Sequence, residues 1–149
     1  MAGEEAAGRS ATVLVVDDNE DLVRIVTHFL ARHGLHPSAA HSGRECLDIV
    51  RREVVDVVIL DVLMPGMSGL EVCEELRRIA PSLPIILLTA RDDMRTRAAG
   101  MALGVSEFIA KPFSNQDLLA RVQTQIRMRE WEREADETIA AIGESGKTK

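Results

Sequence analysis

No apolar run in this chain approaches the ~20 residues needed to cross a bilayer, so no membrane segment is expected. Residues 1–10 carry Glu4 and Glu5 and no apolar stretch, which excludes a secretory signal. Cysteine is scarce: Cys46 and Cys73 stand far apart, in no C-x-x-C arrangement. They are expected as reduced thiols filling core space in a cytoplasmic protein. An excess of positive charge is also missing, and the net charge of −6 argues against nucleic-acid binding through a general electrostatic footprint. The chain has neither internal repeats nor a Ser- or Gly-rich linker. Its 149 residues read as one domain, able to bury roughly two-thirds of the surface of its unfolded chain.

What is present alternates. Thr12 to Val16 is a short β-branched run and the first strand. Asn19 suits a helix N-cap, with Glu20 and Asp21 in the first turn, where the helix dipole favours anions. Leu22, Ile25, Val26, Phe29 and Leu30 recur at helical spacing, and Gly34 ends the helix. Leu35 to Ala40 is a weak strand that Pro37 assigns to a sheet edge. Ser42 to Glu45 and Ser68 to Glu71 have the form of capping boxes, opening helices to about Glu53 and Ala80. Between them Val57 to Leu60 is apolar throughout, as a strand buried on both faces is, and it ends on Asp61 before Pro65-Gly66. Ile85 to Leu88 is another such run, followed by a helix over Asp92 to Leu103 that Gly100 weakens. Glu107 to Ala110 is a short strand. A last helix starts between Ser114 and Asp117 and runs to about Ile142.

Five strands alternating with five helices predict an α/β fold with a parallel sheet covered on both faces. A flavodoxin-like, doubly wound order 2-1-3-4-5 places the weak second strand and the short fifth at the edges. The expected organisation is a tail over 1–10, a domain over 11–126, an extension of the last helix over 127–142 and a tail over 143–149. In open parallel sheets ligands bind at the carboxyl ends of strands. Here those ends carry Asp17 and Asp18, Asp61, Thr89 and Lys111. Three carboxylates in one crevice repel each other and raise the pKa of at least one unless a cation sits among them. With no Cys or His in the set, the hard oxygens suit Mg²⁺, with Mn²⁺ as a substitute, and not zinc. Magnesium held by one or two carboxylates points to phosphate chemistry, in which Lys111 and the Thr89 hydroxyl would contact phosphate oxygens.

The sequence resembles the receiver domain of two-component response regulators over about 12–125. The resemblance rests on Asp17-Asp18, on Asp61 followed by Met64-Pro65 and Gly69, on Thr89-Ala90, and on Phe108-Ile109-Ala110-Lys111-Pro112-Phe113. It implies that Asp61 is the phosphoacceptor, taking a phosphoryl group from a sensor histidine kinase or a histidine phosphotransfer protein. It implies metal ligation by Asp18, Asp61 and the Leu63 backbone carbonyl, with Asp17 acting through a water. Thr89 and Phe108 resemble the family's switch pair, Lys111 its phosphate partner, and Lys111-Pro112 its cis peptide. Leu63 and Arg91 occupy positions that border the phosphoryl group and modulate its hydrolysis. An apolar Leu63 cannot orient an attacking water, which leaves the lifetime to Arg91 and solvent access. Val105-Ser106-Glu107 departs from the Ala and acidic or amide residues common before the aromatic.

Residues 113–149 are expected to hold no DNA-binding or catalytic output domain beyond the last helix. The implied function is phosphorylation-dependent contact with an output protein, or relay to a histidine phosphotransfer protein. A homodimer through the last strand and helices is a further expectation. Two other classes compete. A magnesium-dependent phosphatase of the haloacid dehalogenase type also uses Asp, Thr and Lys, but keeps its nucleophile and second Asp after one strand, whereas Asp61 and the Asp17-Asp18 pair follow different strands. A receiver-like binding module would not be phosphorylated at all. His28, His33, His36 and His41 show no ligand-like spacing. In the last helix Leu118, Val122 and Ile126 are expected against the sheet. Met128, Trp131, Ala135, Thr138, Ile139 and Ile142 continue as an apolar stripe, read either as half-covered by the domain or as an interaction surface centred on Trp131.

Overall fold

The computed structural model describes residues 10–147, with the backbone alone for 144–147. The tail expected over 1–10 therefore lies, apart from Ser10, outside the described residues, as do Thr148 and Lys149. In chain order the elements are β1 Thr12–Val16, α1 Glu20–Arg32, β2 His36–Ala40, α2 Gly43–Arg52 and β3 Val57–Asp61. They continue with α3 Gly69–Ile79, β4 Ile85–Ala90, α4 Met94–Ala102, β5 Glu107–Lys111 and α5 Asn115–Lys147. All strand pairings are parallel, in the order β2-β1-β3-β4-β5. The flavodoxin-like sheet expected from the alternation is the one that forms.

Because successive strand residues point to opposite faces, the apolar strands feed two cores. Leu14, Val16, Val58, Leu60, Ile85 and Leu87 pack with α2 and α3 through Cys46, Leu47, Val72 and Leu76. Val13, Val15, Val57, Ile59, Ile86 and Leu88 pack with α1 through Val23, Val26 and Leu30, and with α5 through Leu118 and Val122. Each fully buried side chain of this size stabilises the fold by about 1.5–3 kcal/mol. Both cysteines are free and buried, as expected.

The caps show where local sequence sufficed. Asn19 accepts from the Leu22 amide, and Ser68 forms a closed capping box with Glu71. The Ser42 box does not close: Ser42 accepts from the Glu45 amide, but the Glu45 carboxylate accepts from His41, one residue before the cap. Helix α4 is shorter than expected, because Asp93 caps it by accepting from the Thr96 amide. Helix α5 is longer, running to Lys147, so residues 143–147 are helical where a frayed tail was expected. The stripe from Met128 to Ile142 is not half-covered by the domain: every residue from Trp131 to Ile142 is exposed.

Candidate functional site

The register explains why the acids meet. Parallel pairing sets Val16 beside Leu60, so Asp17 and Asp61 each stand at the carboxyl end of adjacent strands, about 4.8 Å apart. Carboxylate oxygens of Asp17, Asp18 and Asp61 all lie within 4.8 Å of one another. Asp17 and Asp61 are buried, whereas Asp18 is exposed and opens the cluster to solvent. From the other side β5 delivers Lys111. Its ammonium Nζ lies 2.9 Å from Asp17 Oδ2 and 3.2 Å from Asp61 Oδ1. Sequence reasoning assigned Lys111 to a phosphate and missed this bond to Asp17, which joins residues from the first and last strands.

The electrostatics follow from burial. Burial pushes the Asp61 carboxyl above the ordinary carboxylate range, and the charge of Asp17 pushes it further. Lys111 and the Leu63 amide pull it only part of the way back. Burial by itself pulls the Lys111 ammonium down, but its bond to Asp17 and the charge of Asp61 outweigh this and hold it above its ordinary value. The expected repulsion among the acids is therefore present at Asp61, second to desolvation.

Thr89, next to last in β4, has a side-chain hydroxyl that is buried and has no hydrogen-bond partner among the described residues. A buried unpaired hydroxyl is costly, and this one stands one strand over from Asp61. Phe108 lies on β5, half-buried against the core, in a slot that exists because residue 100 is glycine. A Cβ there would meet the Phe108 ring at 2.9 Å. The Arg97 guanidinium stands 6.0 Å over the same ring. The Lys111-Pro112 peptide is cis. Leu63, 78% exposed, and Arg91, also exposed, lie on the loops that follow β3 and β4.

Gly69 matters more here than its place in a motif suggested. The N-terminus of α3 is pressed against β3's end, where a Cβ on Gly69 would collide with the Asp61 carbonyl oxygen and meet Val62 Cα at 2.7 Å. The Gly69 amide donates to the Val62 carbonyl at 2.8 Å. Only a residue without a side chain lets this loop close and fix the backbone of Asp61.

The Trp131 group is not part of this site. Arg129 of α5 donates to the carbonyl of Asp56, the residue before β3 begins, so the extension leaves the domain at the opposite end of the strands from Asp61.

The donor set fits a hard divalent cation: three carboxylates, two of them buried, reachable through Asp18. A family model described as the response regulator receiver domain matches residues 13–123. Among curated proteins, the response regulator MprA of Mycolicibacterium vanbaalenii is 41% identical over 115 residues, covering 77% of this chain and 50% of its own length. MprA of Mycobacterium tuberculosis is 40% identical over 118 residues, covering 79% and 51%. The chain thus spans about half the length of these relatives. Among solved structures, the chemotaxis protein CheY4 of Vibrio cholerae superposes with a TM-score of 0.74 at 33% identity, covering 77% of this chain and 98% of its own. A response regulator receiver domain from Clostridium thermocellum superposes with a TM-score of 0.76 at 29% identity, covering 81% and 98%.

Proposed function

The chain belongs to the response regulator receiver domain family, and from that premise we propose that it accepts a phosphoryl group on Asp61 from the phosphohistidine of a partner kinase or phosphotransfer protein. The observation that carries this reading is the Lys111 ammonium held between Asp17 and Asp61, with the unpartnered Thr89 hydroxyl buried nearby. A carboxylate oxygen of Asp61 forms the new P–O bond while the donor's P–N bond breaks, and the leaving imidazole keeps that bond's electron pair. Asp18, Asp61 and the Leu63 carbonyl would hold Mg²⁺ or Mn²⁺, with Asp17 acting through a water, and the chemistry a bound ion would supply is charge compensation for the phosphoryl oxygens.

Once the aspartyl phosphate forms, Lys111 exchanges a carboxylate contact for a phosphate oxygen, and Thr89 donates its hydroxyl to another. Moving Thr89 vacates space behind it, into which Phe108 rotates from the Gly100 slot. The phosphoryl group thus shifts an equilibrium between two packings and builds no new fold. The exposed Leu63 offers no polar group to an attacking water, which leaves hydrolysis to solvent access and Arg91. The output is contact with another protein in the cytoplasm, and the chain turns over no substrate except its own phosphate.

Labelling with acetyl phosphate and Mg²⁺ tests the assignment. One phosphoryl group per chain is expected, resistant to turnover on the labelling timescale and absent in Asp61→Asn. Multiple turnovers would instead favour a phosphatase of the haloacid dehalogenase type, and no labelling a receiver-like binding module.

A further inference from the structure

Helix α5 carries two apolar faces in succession, on opposite sides. Leu118 and Val122 are fully buried against the sheet, and Ile126 packs beside them. At about 100° per residue, Trp131 stands about half a turn round from Val122, and Ala135 and Ile142 lie close to the same line. The second stripe is therefore no continuation of the first. Met128 at its start lines a cleft with Leu83, Pro84 and Gly104; from Trp131 onward the stripe is turned to solvent, with Trp131 63% and Ile142 66% exposed. Toward the domain the same face carries Thr124, Arg121 and Asp117. Arg121 there already pairs with Asp117 and with Glu107, so the apolar seam starts at Met128.

Met128, Trp131, Ala135, Thr138 and Ile142 alternate steps of three and four residues, the spacing of successive a and d positions in a heptad. We propose that this face docks a second copy of the chain, the two α5 extensions forming a short parallel coiled coil beyond the domain. Charge selects both the partner and its direction. With Met128 at a and Trp131 at d, Arg127 falls at g and Glu132 at e. In a parallel pair each g residue meets the partner's following e residue, so Arg127 of each copy faces Glu132 of the other. Neither residue has an ion-pair partner among the described residues. Glu134, the next g residue, then faces the uncharged Ile139. An antiparallel pair centred on Ala135 would set Glu134 against its own copy, a like-charge contact. The seam lies on the side of α5 opposite Leu118 and Val122, so the partner helix packs on the face turned away from the sheet.

Sedimentation equilibrium of the full chain over a concentration series is expected to show a monomer passing to a dimer. Trp131→Glu is expected to weaken that association at least about ten-fold, as loss of a central aromatic anchor does. Its exposure lets the variant fold, which far-UV circular dichroism checks. In the otherwise unaltered chain, Met128→Cys is expected to oxidise to a disulfide-linked dimer with its own copy. Because both native cysteines are buried, the link is assignable by peptide mapping. A monomer at every concentration overturns the proposal, as does a dimer that Trp131→Glu leaves intact. A Met128→Cys chain that cross-links only to Ile142→Cys, the antiparallel partner, overturns it as well.

Discussion

Ionising Asp61 works against the fold, because burial and the charge of Asp17 both disfavour its carboxylate form. Its carboxyl binds a proton more tightly in the folded chain than in the unfolded one, through burial and then through Asp17. Linkage fixes the sign: the folded state holds more protons as pH climbs out of the ordinary carboxylate range. The stability Asp61 contributes is therefore full below its unfolded-state value and is lost as pH rises through its raised folded-state value. Asp61→Asn keeps the shape and removes the charge, while Lys111 retains Asp17 at 2.9 Å. The variant is expected to be more stable than the parent at neutral pH by on the order of 1 kcal/mol, the ordinary size of a single-site effect. The gap should close on acidification, and added Mg²⁺ should narrow it by stabilising the parent. Thermal melts of both proteins across pH, with and without Mg²⁺, measure this directly. A parent more stable than Asp61→Asn at neutral pH without metal would sink the argument. The acids themselves were legible in the sequence because each ends an apolar strand. The Lys111–Asp17 bond was not, since it depends on how β1 and β5 twist toward one another across β3 and β4.

Between residue and domain, the junction of β3 with α3 positions the phosphoacceptor. Ser68 and Glu71 close a capping box that fixes where α3 begins, and Gly69 lets that first turn touch the Asp61 backbone. Gly69→Ala places a methyl group inside contact distance of backbone atoms, which cannot rotate aside as a side chain can. The expected cost is about 1–3 kcal/mol, as for other overpacked sites, together with slower labelling of Asp61 by acetyl phosphate. Normal labelling in a destabilised Gly69→Ala would mean that the junction serves stability alone. Helix starts of this kind are legible because the cap lies within four residues of sequence. The failures are the complement. The Glu45 carboxylate chose His41 over Ser42, a difference set by the approach of β2 to α2. The length of α5 was not legible because the core pattern stops at Ile126, and every residue from Trp131 to Ile142 is exposed. The opposed faces of α5 were likewise misread as one stripe, because a three-and-four spacing is identical on either side of the helix. Only the phase between Val122 and Trp131 separates them.

At the scale of the whole domain, the sheet is a single shared wall. Leu87 and Leu88 are neighbours on β4, each at most 1% exposed, yet they belong to different cores. Leu87 lies in the layer with α2 and α3 and borders Gly100 of α4, and Leu88 lies in the layer with α1 and α5. If each core were an independent unit, truncating one leucine would melt its own layer and leave the other. The strands forbid that, because β1, β3 and β4 contribute alternate residues to both layers, and loss of either layer exposes the backs of the same strands to water. Leu87→Ala and Leu88→Ala are each expected to cost about 2–5 kcal/mol. Each should leave one cooperative transition in urea, coincident by far-UV circular dichroism and by amide exchange of α1 and α3. Two separated transitions in either variant would show that the faces fold apart. In that case the site could not act as a switch across the sheet, since Asp17 and Asp61 are held by strands common to both layers while Phe108 packs on only one.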